Sequence, residues 1–168
     1  TPFHGGFGLM NMHGLKKPTY FAYKFLHMLA DEELSCSDAD SIICRSETGV
    51  QALVWNYTKH DQKGVPNQHY YIRDLVPAPA EPARLSIPDL PAGRWLVSVY
   101  RTGYGVNDVY GEYLKLGRPD NLSREQIAAL AVACEGTPAC SVFAGEGGFT
   151  YDIPLRENDV YFIDIKRL

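Results

Sequence analysis

The groups in this 168-residue chain that could do chemistry are its acidic residues, histidines and four cysteines, set among eleven tyrosines. Nucleophilic catalysis needs a hydroxyl or thiol beside a base. The sequence has no Gly-x-Ser-x-Gly turn, and neither Cys36 nor Cys44 has a histidine placed to serve it. Paired carboxylates would suit acid/base work on a glycosidic bond. Asp31-Glu32-Glu33 reads as the solvated exit of a helix. Glu112, in VYGEYLKLG, is flanked by tyrosines that could meet a sugar, although the polar face of a strand is the better account of it. Glu146, in AGEGG, lies in a glycine-rich loop. None of these stands in the context of a tuned pair, so no catalytic residue is assigned. No Cys-x-x-Cys and no histidine pair at zinc spacing occurs, so neither a metal nor a cofactor is expected. Cys134 and Cys140 bracket a short loop with Gly136 and Pro138; a disulfide and two free thiols are both open there.

The aromatic residues divide by context. Trp55 and Trp95 lie in strong strand patterns and read as core. Tyr104, Tyr110 and Tyr113 lie in or beside the glycine-rich run Gly103–Gly111 and are the better candidates for a contact surface. That run contains Gly-Tyr-Gly, but with no following helix expected and no basic residue for phosphate it is not a nucleotide loop.

The elements that must position these groups begin with a glycine- and aromatic-rich opening, TPFHGGFGLMNMHG, of the kind that lets backbone pack closely on a neighbour. It begins with Thr rather than Met, and the expectation is a piece of a larger protein. Pro18 suits the first turn of a helix running to about Ala30. Phe21, Phe25, Met28 and Leu29 fall at helical spacing, widened by Ala22 and Leu26. A helix so apolar around its circumference expects neighbours on more than one side. Strands follow. Leu34–Ser37 and Ser41–Arg45 form a hairpin pattern, Val50–Tyr57 is the strongest strand, and His69–Leu75 is a short one. Arg84–Ile87, Arg94–Arg101, Phe149–Leu155 and Val160–Lys166 complete the set. Lys59–Gln68 is a loop, and Val76–Pro82 is a proline-rich extended connector. Ser123 and Gln126 form a capping box opening a helix to about Cys134, with Ile127, Leu130 and Ala131 on one face. Several short strands with turn signals between them predict a mainly β fold, an antiparallel β-sandwich with an N-terminal helix and one further short helix.

Composition narrows the function classes. The chain is 45% hydrophobic and 21% charged, a globular balance that argues against disorder. A net charge of −4 gives no basic stripe for a nucleic acid. Apolar windows are interrupted well short of a membrane span, so no membrane partner is expected. The cysteine usage leaves the compartment open.

The order of motifs resembles glycoside hydrolase family 39, the β-xylosidase and α-L-iduronidase family, and is closest to the β-xylosidases. FHGGFGLMNMHGLKKPTYFAYKFLHML is similar to the segment that closes the catalytic barrel of that family. VQALVWNY resembles its sandwich strand ending in Trp-Asn. YLKLGRPDNLSREQIAAL resembles its glycine–proline turn and following helix, and NDVYFIDI its last strand. The loop Arg101–Tyr113 departs from the family, which more often has acidic and histidine residues there. The resemblance implies that residues 1–32 are a barrel-closing segment and the last helix of a (β/α)8 barrel. Residues 33–168 would then be a β-sandwich accessory domain. It implies a parent enzyme that is a retaining glycosidase acting on xylo-oligosaccharides through two glutamates, neither of which has a counterpart here. Phe3 and His4 would lie nearest the substrate. The implied partner is the N-terminal catalytic barrel of the same protein. A carbohydrate-binding module, and a module that holds a homo-oligomer together, are the alternatives.

Overall fold

In VYFIDIKR alternate side chains point to opposite sides of a strand, and over its first six residues both sets are apolar except for Asp164. This strand, β8 (Val160–Arg167), lies inside the fold with a core on each face. The computed structural model describes residues 1–61 and 64–168. In chain order the elements before it are α1 (Pro18–His27), β1 (Glu32–Leu34), β2 (Ser41–Ser46), β3 (Gly49–Trp55) and the one-turn α2 (Asn67–Tyr70). They continue with β4 (Ala83–Ile87), β5 (Gly93–Thr102), α3 (Val109–Lys115), α4 (Arg124–Ala133), β6 (Ala139–Gly145) and β7 (Phe149–Ile153). Among the described residues a six-stranded antiparallel sheet runs β1-β2-β3-β8-β5-β6, and β4 pairs with β7 in a second sheet of two strands. The chain is an antiparallel β-sandwich, with helices covering the outer face of the larger sheet.

Alternation assigns the two faces. Tyr161, Ile163 and Ile165 of β8 join Ala52 and Val54 of β3 and Trp95 and Val97 of β5 against Leu85, Phe149 and Ile153 of the smaller sheet. On the other face Phe162 and Leu53 meet Phe21 and Phe25 of α1, Val109 and Tyr113 of α3, and Leu130 of α4. The ring of Phe162 lies 6.3 Å from Phe25 and 5.7 Å from Tyr100 between centroids.

The first helix is fastened at both ends. Thr102 Oγ1 donates to the Pro18 carbonyl at 3.3 Å. Beyond its C-terminus the Ala30 amide donates to Gln51 Oε1 at 2.8 Å, and Gln51 Nε2 donates to Asp164 Oδ1 at 3.3 Å. These bonds account for polar groups buried on the helix side of the sheet, where an unpaired donor or acceptor would be costly.

Several expectations are corrected. His69–Leu75 is not a strand: α2 ends at Tyr70 and turns follow, because Tyr70 and Tyr71 pack edge-on with centroids 5.2 Å apart instead of alternating along a ladder. The loop after Gly103 stops at Asp108, which caps α3, so Glu112 sits on a helix and pairs with Lys115 at 2.6 Å. No strand was expected over Ala139–Gly145; ACSVFAG forms an edge strand bonded only to β5, so it carries no two-sided apolar pattern. The last two strands are present as expected, although β7 ends at Ile153, and the turn between them crosses from the small sheet to the large one. Of the expected Lys59–Gln68 loop, Gln62 and Lys63 lie outside the described residues. The Ser123–Gln126 capping box is present, but Cys134 rather than Ala131 continues the buried face of α4. Trp95 is core, whereas Trp55 is half-buried. Cys134 is buried and Cys140 exposed, and both are free thiols.

Burial, reinforced by the nearby Glu112 and Asp108 charges, pushes the Cys134 thiol up to about 11. An unfolded chain ionises this thiol near pH ~8.5. Between those values the unfolded state has lost a proton that the folded state keeps, so stability falls as pH rises. Urea midpoints compared at pH 8 and pH 10.5 should therefore show the wild type losing ground to Cys134→Ala. Phe162→Ala removes a ring held between α1 and β5 and should cost about 3–5 kcal/mol in urea unfolding.

Candidate functional site

A large cavity of about 760 Å³ opens where the N-terminal loop meets residues 71–75 and the turn after β5. Its walls include Phe3, His4, Phe7, Tyr23, Tyr71, Arg73, Asp74, Tyr104, Asp108 and Tyr110. A second cavity of about 330 Å³ adjoins it, shares Tyr71, Tyr104 and Asp108, and adds Tyr57, His60 and Asn158.

Sequence chemistry explains how the walls are held. Gly103 and Val106 exchange backbone hydrogen bonds of 3.0 and 3.1 Å, closing a four-residue turn. Gly105, its third residue, has φ +69°, which glycine adopts without strain. Asp108 then serves both the turn and the start of α3: one oxygen accepts from Gly105 N at 3.0 Å and the other from Gly111 N at 3.1 Å. The segment around residue 72 is tied down because the Tyr110 hydroxyl donates to the Ile72 carbonyl. Tyr104 hydrogen-bonds Asp74, and that bond is the main reason its phenol is raised above its ordinary value. Tyr110 is raised chiefly by burial. On the opposite wall Lys17 Nζ donates to the Gly6 carbonyl at 2.9 Å, and partial burial lowers its ammonium. His4 Nδ1 accepts from Gly6 N at 3.1 Å.

The structure brings together residues far apart in sequence. Phe3 packs 4.8 Å from Tyr113 and 5.6 Å from Tyr110 between ring centroids. Tyr113 is on α3 and buried, its hydroxyl donating to the Pro119 carbonyl at 3.0 Å; the expectation that it belongs to an exposed loop is corrected. Tyr104 and Tyr110 face the large cavity, with His4 exposed at its mouth. Tyr71, Arg73, Asp74 and Asp108 were missed. The aromatic and charged cluster Tyr70-Tyr71-Ile72-Arg73-Asp74 is a signal for the first three, masked by its likeness to a strand, and Asp108 has none.

Chemically, the arrangement offers aromatic faces with hydrogen-bonding groups at their edges. Asp74 and Asp108 are committed as acceptors to Tyr104 and to backbone amides. This suits recognition of a polyhydroxylated ligand better than proton transfer. No three His, Cys, Asp or Glu residues converge on a metal-sized site among the described residues.

Beside α1 an apolar groove of about 360 Å³ is lined by Ala22, Tyr23, Leu26, Ile42, Leu53, Trp55 and Val160. Tyr23 lines both this groove and the large cavity.

An antiparallel sandwich joined to an aromatic-walled cavity has the character of a carbohydrate-active protein. Residues 1–143 match the model of "Glycosyl hydrolases family 39", and the chain belongs to that family. It is similar in structure to the GH39 enzyme from Xanthomonas axonopodis pv. citri, with 35% identity and a TM-score of 0.91 over 100% of this chain and 34% of that one. The monomeric β-xylosidase from Caulobacter crescentus CB15 superposes with a TM-score of 0.92 and 34% identity, over 100% of this chain and 34% of its own. A curated β-xylosidase from Geobacillus stearothermophilus is 27% identical over 99% of this chain. The chain spans 30% of the length of that relative.

The aromatic trio generates a prediction. Phe3→Ala removes the ring that spans Tyr110 and Tyr113. It should cost about 3–5 kcal/mol in stability, as for other buried phenylalanines. Urea denaturation followed by tyrosine fluorescence measures it.

Proposed function

We propose that this chain is the C-terminal portion of a retaining β-xylosidase-like enzyme that releases xylose from xylo-oligosaccharides. In this reading residues 1–32 close the catalytic barrel and supply its last helix, and residues 33–168 form an accessory sandwich domain. The catalytic glutamates belong to the barrel, and Phe3, His4, Tyr104 and Tyr110 lie toward the substrate. One observation carries the reading. An apolar surface runs from Phe7 (94% exposed) through Tyr23 (60%) to Leu26 (47%), along the opening loop and the outer side of α1. Large contiguous patches of this kind mark a contact surface. A barrel face is the apolar partner that the family likeness and the length of the relatives both support.

The purified 168-residue chain is expected to show no turnover of xylobiose, and the polypeptide carrying an upstream barrel to show it. Xylose release by the chain alone would overturn the proposal.

The aromatic cavity favours a second reading, an autonomous carbohydrate-binding module. Calorimetry of the chain with xylo-oligosaccharides tests it, and the absence of heat at millimolar ligand rejects it. An oligomerisation module, drawn from the same apolar helix, predicts concentration-dependent self-association by light scattering.

A further inference from the structure

Asp159, in the turn entering β8, is fully buried. Its Oδ2 accepts from an Arg101 guanidinium nitrogen at 2.7 Å and from both the backbone amide and Nε of Arg156 at 3.1 Å; its Oδ1 accepts from the Arg156 Nη2 at 3.1 Å. That same Nη2 donates to the carbonyl of Tyr104 at 2.7 Å. Gly103 lies so close to the carboxylate that a Cβ there would overlap Asp159 Oδ1. The turn carrying Tyr104 therefore rests directly on an ion pair whose carboxylate is buried and whose arginines are partly exposed. The far end of the tyrosine is held by Asp74, and the residue stands in the wall shared by the two cavities.

An ion pair with a buried carboxylate adds little net stability over an apolar replacement, which leaves its geometry as what it can contribute. Here the guanidinium supplies one. Its planar fork reaches a carboxylate and a carbonyl at once, which a lysine ammonium on a single stem does not do as well. Arg101 shares the carboxylate, but it is the Arg156 guanidinium that donates to the Tyr104 carbonyl, so the two arginines are chemically alike and positionally different.

We propose that Asp159 and Arg156 are positioning residues that fix Tyr104 as a stacking platform for a xylo-oligosaccharide lying against the wall shared by the two cavities, clear of the Phe7 and Tyr23 surface given to the barrel. The proposal rests on the reading of these cavities as a saccharide site. It assigns Arg156 a role in substrate affinity and Arg101 a role in stability alone.

The test uses the barrel-containing polypeptide, with KM and kcat measured on xylobiose and xylotriose and melting temperatures measured in parallel. Arg156→Lys is expected to raise KM up to about tenfold, the loss of roughly one aromatic contact to the ligand. The value of kcat should stay near wild type. Arg101→Lys should lower the melting temperature comparably and leave KM unchanged. Gly105→Ala places a methyl in open space at φ +69°, straining the turn without touching the ion pair, and should also raise KM. Tyr104→Ala separates the two levels of the argument. If it leaves KM unchanged, the saccharide reading of the cavities fails and the positioning role falls with it. If it raises KM while Arg156→Lys and Gly105→Ala do not, the positioning role alone is overturned. Equal KM changes in the two lysine variants, following their loss of stability, would also overturn it.

Discussion

Burial of β8 on both faces is the constraint on which the rest of the structure depends. The strand hydrogen-bonds to β3 on one side and β5 on the other. Its odd-numbered apolar residues face the small sheet, while Phe162 faces the helices. Because side chains alternate with a period of two, a slip of one residue would exchange these sets. It would also displace Asp164 from Gln51, and thus loosen the bond that receives the amide beyond α1. Register, core and helix placement are therefore one problem with one solution.

The helix layer follows from that solution. Phe21 and Phe25 of α1 are fully buried against the sheet, yet Tyr23 and Leu26 on the other side of the same helix remain exposed. Such a helix has one partner within this chain and apolar surface left for another. Its start is bonded to Thr102 at the end of β5, the strand that leads directly into the Tyr104 turn. The two cavity walls are thereby referred to the same rigid sheet, even though one comes from the first dozen residues and the other from the middle of the chain.

Charge is used at the border between those layers. Asp159 and its two arginines sit where the chain crosses from β7 to β8, beside the turn that follows β5. In a low-dielectric setting such contacts resist displacement more than surface pairs do. Surface pairs such as Arg84 with Asp152 are solvent-screened and contribute little by comparison. The carboxylates near the cavity, Asp74 and Asp108, are likewise occupied in holding Tyr104, its turn and the start of α3.

The strong strands, the α1 pattern with proline at its start and the Ser123–Gln126 capping box were legible in the sequence, because each depends on residues within a few positions of one another. The family likeness was legible for the same reason, as contiguous motifs in order. The edge strand β6 was not, since a strand with one partner and one solvent side need not carry a strong apolar alternation. Nor was α3, hidden behind a glycine-rich turn, nor the short α2, whose tyrosines imitate a strand. The site was half visible: Tyr104 and Tyr110 stood out by composition, whereas Tyr71, Asp74 and Asp108 acquire meaning only when residues 71–75 fold onto the turn after β5. By itself the sequence determined the kinds of element and the surfaces they must bury, which are set by local stereochemistry and hydrophobic period. Only the tertiary structure decided which faces met, that Tyr113 became core while Tyr104 stayed in the wall, and that Arg156 rather than Arg101 reached its carbonyl, because those outcomes depend on distances across the sheet that no local pattern encodes.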